Sequence, residues 1–124
     1  MPGGGRAPTM VSLMPRSKRG ESMIISVMYK LQPGQKFDLD YYMKSHIPLV
    51  GSLWRGAGLN DLQVLHGTGS PSGDPAGYHV IALLDFESAG AFKAAADAHG
   101  AAIFGDIPNF TDAQPSIQFN DRLT

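Results

Sequence analysis

Cysteine is absent from the 124 residues. Its absence removes disulfides, thiolate nucleophiles, zinc–thiolate centres and iron–sulfur clusters, and it is compatible with a cytoplasmic protein. Long apolar runs are missing too. Nothing approaches the roughly 20 consecutive apolar residues of a bilayer-spanning helix, so no membrane segment is expected. Charge of one sign is not in surplus: the formal net charge is −1, which offers no electrostatic footprint for nucleic acid or an anionic membrane surface. Several catalytic motifs are lacking as well. Residues 67–72, Gly-Thr-Gly-Ser-Pro-Ser, begin like a dinucleotide fingerprint, but the third glycine is missing and a strand follows where a helix is needed. There is no phosphate loop, no nucleophile elbow and no metalloprotease histidine pair. The four histidines, His46, His66, His79 and His99, never cluster with nearby carboxylates, so neither a metal site nor a resident cofactor is expected. Catalysis is then left to general acid–base groups in a shaped pocket, or to a cofactor supplied by a partner.

The length suits one domain, and the chain divides in two by composition. Residues 1–22 are rich in Gly, Pro and basic residues; Arg6, Arg16, Lys18 and Arg19 hold four of the ten Lys and Arg side chains. This segment is expected to be a disordered basic tail, a start assigned too early with Met23 as the true beginning, or a basic docking arm. Residues 23–124 carry the remaining six basic side chains against ten acidic ones and form the expected folded domain.

Met23 to Lys30 is rich in β-branched residues and ends at Gln32-Pro33-Gly34, which predicts a strand. Asp38 is placed to cap a helix running through Tyr42 to about His46. Pro48 disfavours helical geometry at Ile47, so a break is expected there, followed by a second short helix over residues 49–55 closed by Gly56 and Gly58. Residues 62–66 read as a second strand, residues 67–77 as a hairpin loop, and residues 78–86 as a third strand. Ser88 caps a helix whose apolar stripe is Phe92, Ala96, His99 and Ile103. Residues 115–119 supply a last strand. The order β-α-β-β-α-β is the ferredoxin-like arrangement, an α+β fold with a four-stranded antiparallel sheet and helices on one face.

Alternation in the strands adds a further expectation. Tyr78, Val80, Ala82, Leu84 and Phe86 make one face of the third strand apolar, yet the other face still holds Ile81 and Leu83 between His79 and Asp85. Helices cover one side only, so the second apolar side needs another cover. A homodimer is expected, its two sheets enclosing a partly polar cavity.

Residues 37–50, Phe-Asp-Leu-Asp-Tyr-Tyr-Met-Lys-Ser-His-Ile-Pro-Leu-Val, carry the most definite chemical spacing. Asp38, Tyr42 and His46 fall at i, i+4 and i+8 along one helix face. His46 near a helix C-terminus would be favoured as imidazolium, which suits a proton donor; its expected role is proton donor or acceptor, with Tyr42 orienting it or a substrate oxygen. His79 and Asp85 are secondary pocket candidates. The same residues also have structural roles open to them: Asp38 as a cap alone, Tyr42 as packing, His46 bonded to a free carbonyl, His79 at a solvated strand start, and His99 as a satisfied core histidine.

With these segments in view, the chain resembles the EthD family, named for ethyl tert-butyl ether degradation. The likeness rests on residues 37–50, on residues 78–86 (Tyr-His-Val-Ile-Ala-Leu-Leu-Asp-Phe), and on Ala91-Phe92, His99 and residues 106–112 (Asp-Ile-Pro-Asn-Phe-Thr-Asp), continuing to Pro115 and Ile117-Gln118. The resemblance implies a dimeric α/β barrel and a small protein of reductase or oxidoreductase type, linked to degradation or tailoring of organic compounds. It places the family's tyrosine and histidine of the first block on Tyr42 and His46, and those of the second on Tyr78 and His79. The expected function is therefore an oxidoreductase acting on a small, largely apolar organic compound, without a tightly bound cofactor. Two alternatives stay open: a non-catalytic dimeric accessory protein for a monooxygenase, and an isomerase or dehydratase on the same scaffold.

Overall fold

The β-branched and apolar residues after Ser22 pair as strands because alternate side chains reach a common helical layer. The computed structural model describes residues 22–124; apart from Ser22, the expected basic tail lies outside the described residues. Strand β1 spans Met23–Lys30, β2 Leu59–His66, β3 Tyr78–Phe86 and β4 Ser116–Asn120. All pairings are antiparallel, and the strand order is β2-β3-β1-β4. This is the α+β, ferredoxin-like fold that the element order predicts.

The helical layer lies on one face. Short helix α1 is Leu39–Tyr41, with the Asp38 carboxylate accepting from the Tyr41 N–H at 3.0 Å as its cap. A π-helical turn, Tyr42–His46, follows, and α2 runs from Ile47 to Trp54. The expected break at Pro48 does not occur. Ile47 is helical (φ −63, ψ −43), and its N–H bonds the Tyr42 carbonyl, one residue further back than in an α-helix. Proline inside an α-helix clashes with the carbonyl four residues earlier. The π turn lies directly before Pro48, an irregularity of the kind at which a helix accommodates such a residue, and the chain continues without stopping. Helix α3, Ala89–Gly105, starts where Ser88 caps it, the Ala91 N–H donating to Ser88 Oγ at 3.0 Å. Its buried line is Ala95, Gly100 and Ile103. Ala96 and His99 of the expected stripe are only half-buried, because the helix is rotated to bring Ala95 against α2, where the Trp54 indole N–H donates to the Ala95 carbonyl at 3.0 Å.

The core falls into two clusters. One gathers Ile25, Trp54, Leu84, Phe86 and Ile103; the other gathers Tyr29, Tyr42, Val80 and Phe110. The opposite sheet face carries Ile24, Met28, Ile81 and Leu83, all half-buried, and the exposed Leu65. These sit among polar residues, including Asp85, whose carboxylate takes an ion pair from Arg122 at 3.1 Å.

Gly58 closes the α2 region in a left-handed conformation (φ 111). A Cβ there would stand 2.9 Å from the Ala91 Cβ, so both backbone and packing demand glycine. Gly58→Ala should lower stability by more than about 1 kcal/mol. The expected sign is a lower urea midpoint at unchanged slope, and an unchanged midpoint would contradict this account.

Candidate functional site

An apolar cavity of about 40 Å³ lies between the sheet and the helical layer, at the seam of the two core clusters. Strand alternation turns Ile25, Val27 and Tyr29 toward it from β1, and Ala82 and Leu84 from β3. The π turn supplies Tyr42 and His46, and Ile103, Phe104, Ile107 and Ile117 complete the far side. Phe104 and Ile117 are the solvent-exposed members of this lining, which places the mouth between the end of α3 and the edge strand β4. This cavity is formed within one chain, under the helices.

Tyr42 and His46, paired by spacing in the sequence, do meet. Their rings stack with centroids 5.6 Å apart and planes at 22°. Both are buried, and Phe110 packs against each, at 5.1 Å from Tyr42 and 4.7 Å from His46. A further residue, absent from the sequence-based candidates, holds the histidine. Asp106, just past the end of α3, sets its Oδ2 3.0 Å from His46 Nδ1. Its Oδ1 accepts from the Tyr41 hydroxyl at 2.7 Å and from the Asn109 side-chain amide at 2.9 Å. Burial pushes the Asp106 carboxyl up, but the hydrogen bonds from Asn109, Tyr41 and His46, with the charge His46 can carry, outweigh it and hold the group below the usual carboxylate range.

That ionisation decides the histidine's tautomer. An ionised carboxylate only accepts, so the hydrogen sits on Nδ1, leaving Nε2 with its lone pair free. Nε2 takes no hydrogen bond from the described residues. Burial lowers the His46 pKa, opposed only in part by the hydrogen bond and charge of Asp106. Near neutral pH the ring is therefore uncharged, whereas the helix-end position suggested an imidazolium; of the two expected roles, donor or acceptor, the neutral ring suits the acceptor. The reason is the missing break. The chain continues helical through α2, so His46 is not at a free carbonyl end and gains no stabilising terminus. The Tyr42 phenol is pushed well above its usual range by burial, helped by the neighbouring Tyr29, and stays a hydrogen donor.

The second-block candidates go elsewhere. At Tyr29 and Lys30 the register of β1 against β3 slips: Tyr29 faces Val80 and Lys30 faces Tyr78, so His79 has no partner across. Such an irregularity re-aims a side chain. The His79 ring stacks on Phe37 at 4.9 Å and lies 5.1 Å from His66, beside a small surface pocket formed with Lys30, Lys36 and Thr111. It does not share a face with Asp85 as expected. Asp85 lies on the open sheet face, and Tyr78 is half-buried; none of Tyr78, His79 or Asp85 lines the cavity of Tyr42 and His46.

What the sequence missed had faint signals. Asp106 opens the block 106–112 that carries part of the family resemblance, and it is an acid placed directly after an apolar helix. Tyr29 is the one polar-tipped side chain in the alternation Ile25, Val27, Tyr29.

Comparison with known proteins agrees with this architecture. No family model matches the chain, and no curated protein matches it. Among solved structures, an EthD-like protein from Ralstonia eutropha JMP134 is 33% identical, with a TM-score of 0.78 over 84% of this chain and 94% of that one. An ethyl tert-butyl ether degradation (EthD) family protein from Bacillus halodurans C-125 is 18% identical, with a TM-score of 0.65 over 83% of this chain and 99% of that one. A conserved protein from Methanosarcina mazei Go1 shares the fold at 14% identity, TM-score 0.53, over 85% and 96% of the two chains.

The His46 ring can be followed directly by proton NMR, assigned by its disappearance in His46→Ala. Its titration midpoint should lie below the ordinary imidazole value of about 6.5. Asp106→Asn removes the two influences that raise it and should move the midpoint lower still. Because the fold prefers the neutral ring, the unfolded chain takes up this proton first; the histidine's contribution to stability should therefore decline as pH falls below the unfolded value. A wild-type midpoint at or above 6.5, or an upward move in the variant, would overturn the assignment.

Proposed function

This chain belongs to the EthD family, and from that premise we propose that it is an enzyme that moves a proton on a small, largely apolar organic compound held in the cavity. The observation that carries this reading is the Asp106–His46 pair on the cavity wall. An orienting carboxylate, a neutral imidazole and a free Nε2 are the parts of a general base, and His46 is only 5% exposed. Asp106 positions the ring, His46 takes or returns the proton, and Tyr42 donates to a substrate oxygen. The apolar lining supplies affinity and excludes water, which strengthens each of these interactions.

We place the reaction in the oxidoreductase type, with His46 handling the proton that accompanies electron transfer to or from a co-substrate. Isomerisation or dehydration would use the same residues and needs no electron acceptor. A purely binding protein has less use for an ionised carboxylate aimed at a buried histidine, and an apolar box would hold the same ligand. A homodimer joined through the open sheet faces is part of the proposal, because Ile24, Met28, Ile81, Leu83 and Leu65 lie on a face that no helix of the described residues covers. The mouth at Phe104 and Ile117 leaves the cavity open to a partner enzyme such as a monooxygenase.

Two measurements test this. Native mass spectrometry of freshly purified protein should give a dimer, with any retained metabolite naming the compound; a monodisperse monomer at micromolar concentration would refute the dimer. On that compound, His46→Ala should reduce turnover by at least about 100-fold with far-UV dichroism unchanged. Turnover equal to wild type would remove His46 from the chemistry.

A further inference from the structure

Two buried phenols line the same cavity, and only one of them belongs to the helix that carries the histidine. Tyr29, at the end of β1, and Tyr42, in the π turn, are each 1% exposed. Their rings meet edge to face with centroids 6.1 Å apart, and both are in the cavity wall with His46. Neither hydroxyl has a hydrogen-bond partner among the described residues. Other polar tips in this part of the molecule are satisfied: the Tyr41 hydroxyl by Asp106, the Trp54 indole by Ala95, and Thr111 Oγ1 by the Lys36 carbonyl at 2.6 Å. A buried hydroxyl without a partner is costly, and phenylalanine at either position would avoid that cost. The surroundings give no second polar group to share: Phe37 and Phe110 enclose Tyr29, at 5.2 and 5.9 Å.

We propose that Tyr29 and Tyr42 together form a two-donor site for one substrate oxygen, and that the substrate is a small enolisable carbonyl compound or the corresponding phenol. The inference rests on His46 acting as the base. A carbonyl oxygen offers two lone-pair directions, one for each phenol. Burial pushes both phenols well above their usual range, so both remain donors while charge builds on the oxygen they hold. The step balances without an added oxidant. The C–H bond next to the carbonyl breaks, and its proton passes to His46 Nε2. The bonding pair forms the C=C bond, and the carbonyl π pair moves to oxygen as an enolate between the two hydroxyls. Returning the proton to the same or a conjugated carbon ends the cycle, which is the isomerisation that uses the same residues as the oxidoreductase reading and needs no electron acceptor. Fixed donors in a dry site stabilise that oxyanion far better than water-exposed ones, and the stacking of His46 on Tyr42 keeps base and oxygen site adjacent.

The probe for the oxygen site is 4-nitrophenol, a planar mimic of the enolate whose absorbance reports its ionisation. Exchange of the α-hydrogens of cyclopentanone in D2O, followed by NMR, reports the proton transfer. Wild type should bind the nitrophenolate and catalyse exchange. Tyr29→Phe and Tyr42→Phe should each weaken nitrophenolate binding by about tenfold or more and slow exchange, with thermal midpoints unchanged or raised because an unpartnered buried hydroxyl is gone. His46→Ala should abolish exchange and still bind the phenolate. If Tyr29→Phe binds as wild type while His46→Ala has lost exchange, the oxygen site is overturned and the histidine's role stands. If His46→Ala exchanges as wild type, the base fails and the enolisation with it. A wild-type protein that neither binds the phenolate nor exchanges the ketone overturns the proposal outright.

Discussion

One carboxylate organises the functional half of this molecule. Asp106 sits sixty residues from His46 in sequence, yet it touches both the short helix α1, through Tyr41, and the π turn, through His46. The segment it begins is sewn to the same region by backbone contacts. The Asp38 N–H donates to the Phe110 carbonyl at 2.7 Å, Thr111 Oγ1 donates to the Lys36 carbonyl, and Phe37 and Thr111 form an isolated bridge. The chain after α3 therefore forms one wall of the site and sets its electrostatics. Hydrogen bonds to an ionised acceptor are the stronger kind, and here three donors converge on one carboxylate. Holding Asp106 ionised fixes the tautomer of His46, and the tautomer decides which nitrogen a ligand meets.

The fold was legible because each element announced its own boundaries. Ser88 and Asp38 cap the helices predicted for them, and the period-two pattern of β3 matches its burial almost residue for residue. Local signals failed where two elements had to negotiate. Pro48 predicts a break by the ordinary rule for a single helix, but packing of Val50 and Trp54 into the core rewards continuing the helix, and the π turn is the compromise. His79 is placed on the polar face by strict alternation, and a one-residue slip in strand register sends it elsewhere. Neither feature has a local motif, since both arise from contacts distant in sequence.

The site shows the same division. The spacing of Tyr42 and His46 within one turn was visible because a helix converts spacing into proximity. Their partners come from β1 and from the chain beyond α3, and only the tertiary fold brings these together. Asp106 and Tyr29 look ordinary in sequence for that reason. An acid after a helix reads as solvated, and a tyrosine on an apolar strand face reads as core. The resemblance to the EthD family marked the right segments without saying which of their residues would meet.

The protonation states in the cavity follow from burial, and they suit the proposed proton transfer. Desolvation disfavours any charged form, so it raises the phenols of Tyr29 and Tyr42 and lowers the imidazole of His46. Near neutral pH the interior surface is then uncharged throughout, and the single formal charge lies behind His46, on Asp106. Donors and base are driven apart in pKa by the same apolar environment. A phenol that ionised would be useless as a donor, and a histidine already protonated would be useless as a base. In the proposed reaction, the apolar lining that would bind an organic compound also keeps each polar group in the state its role requires. Charge appears inside only when a proton moves to Nε2. It then sits between an anionic carboxylate on one side and whatever negative charge the ligand has gained on the other. In the proposed reaction an imidazolium formed in that position would be stabilised by both neighbours, so the same burial that makes His46 a base at rest would leave it placed to hold a proton and to return it.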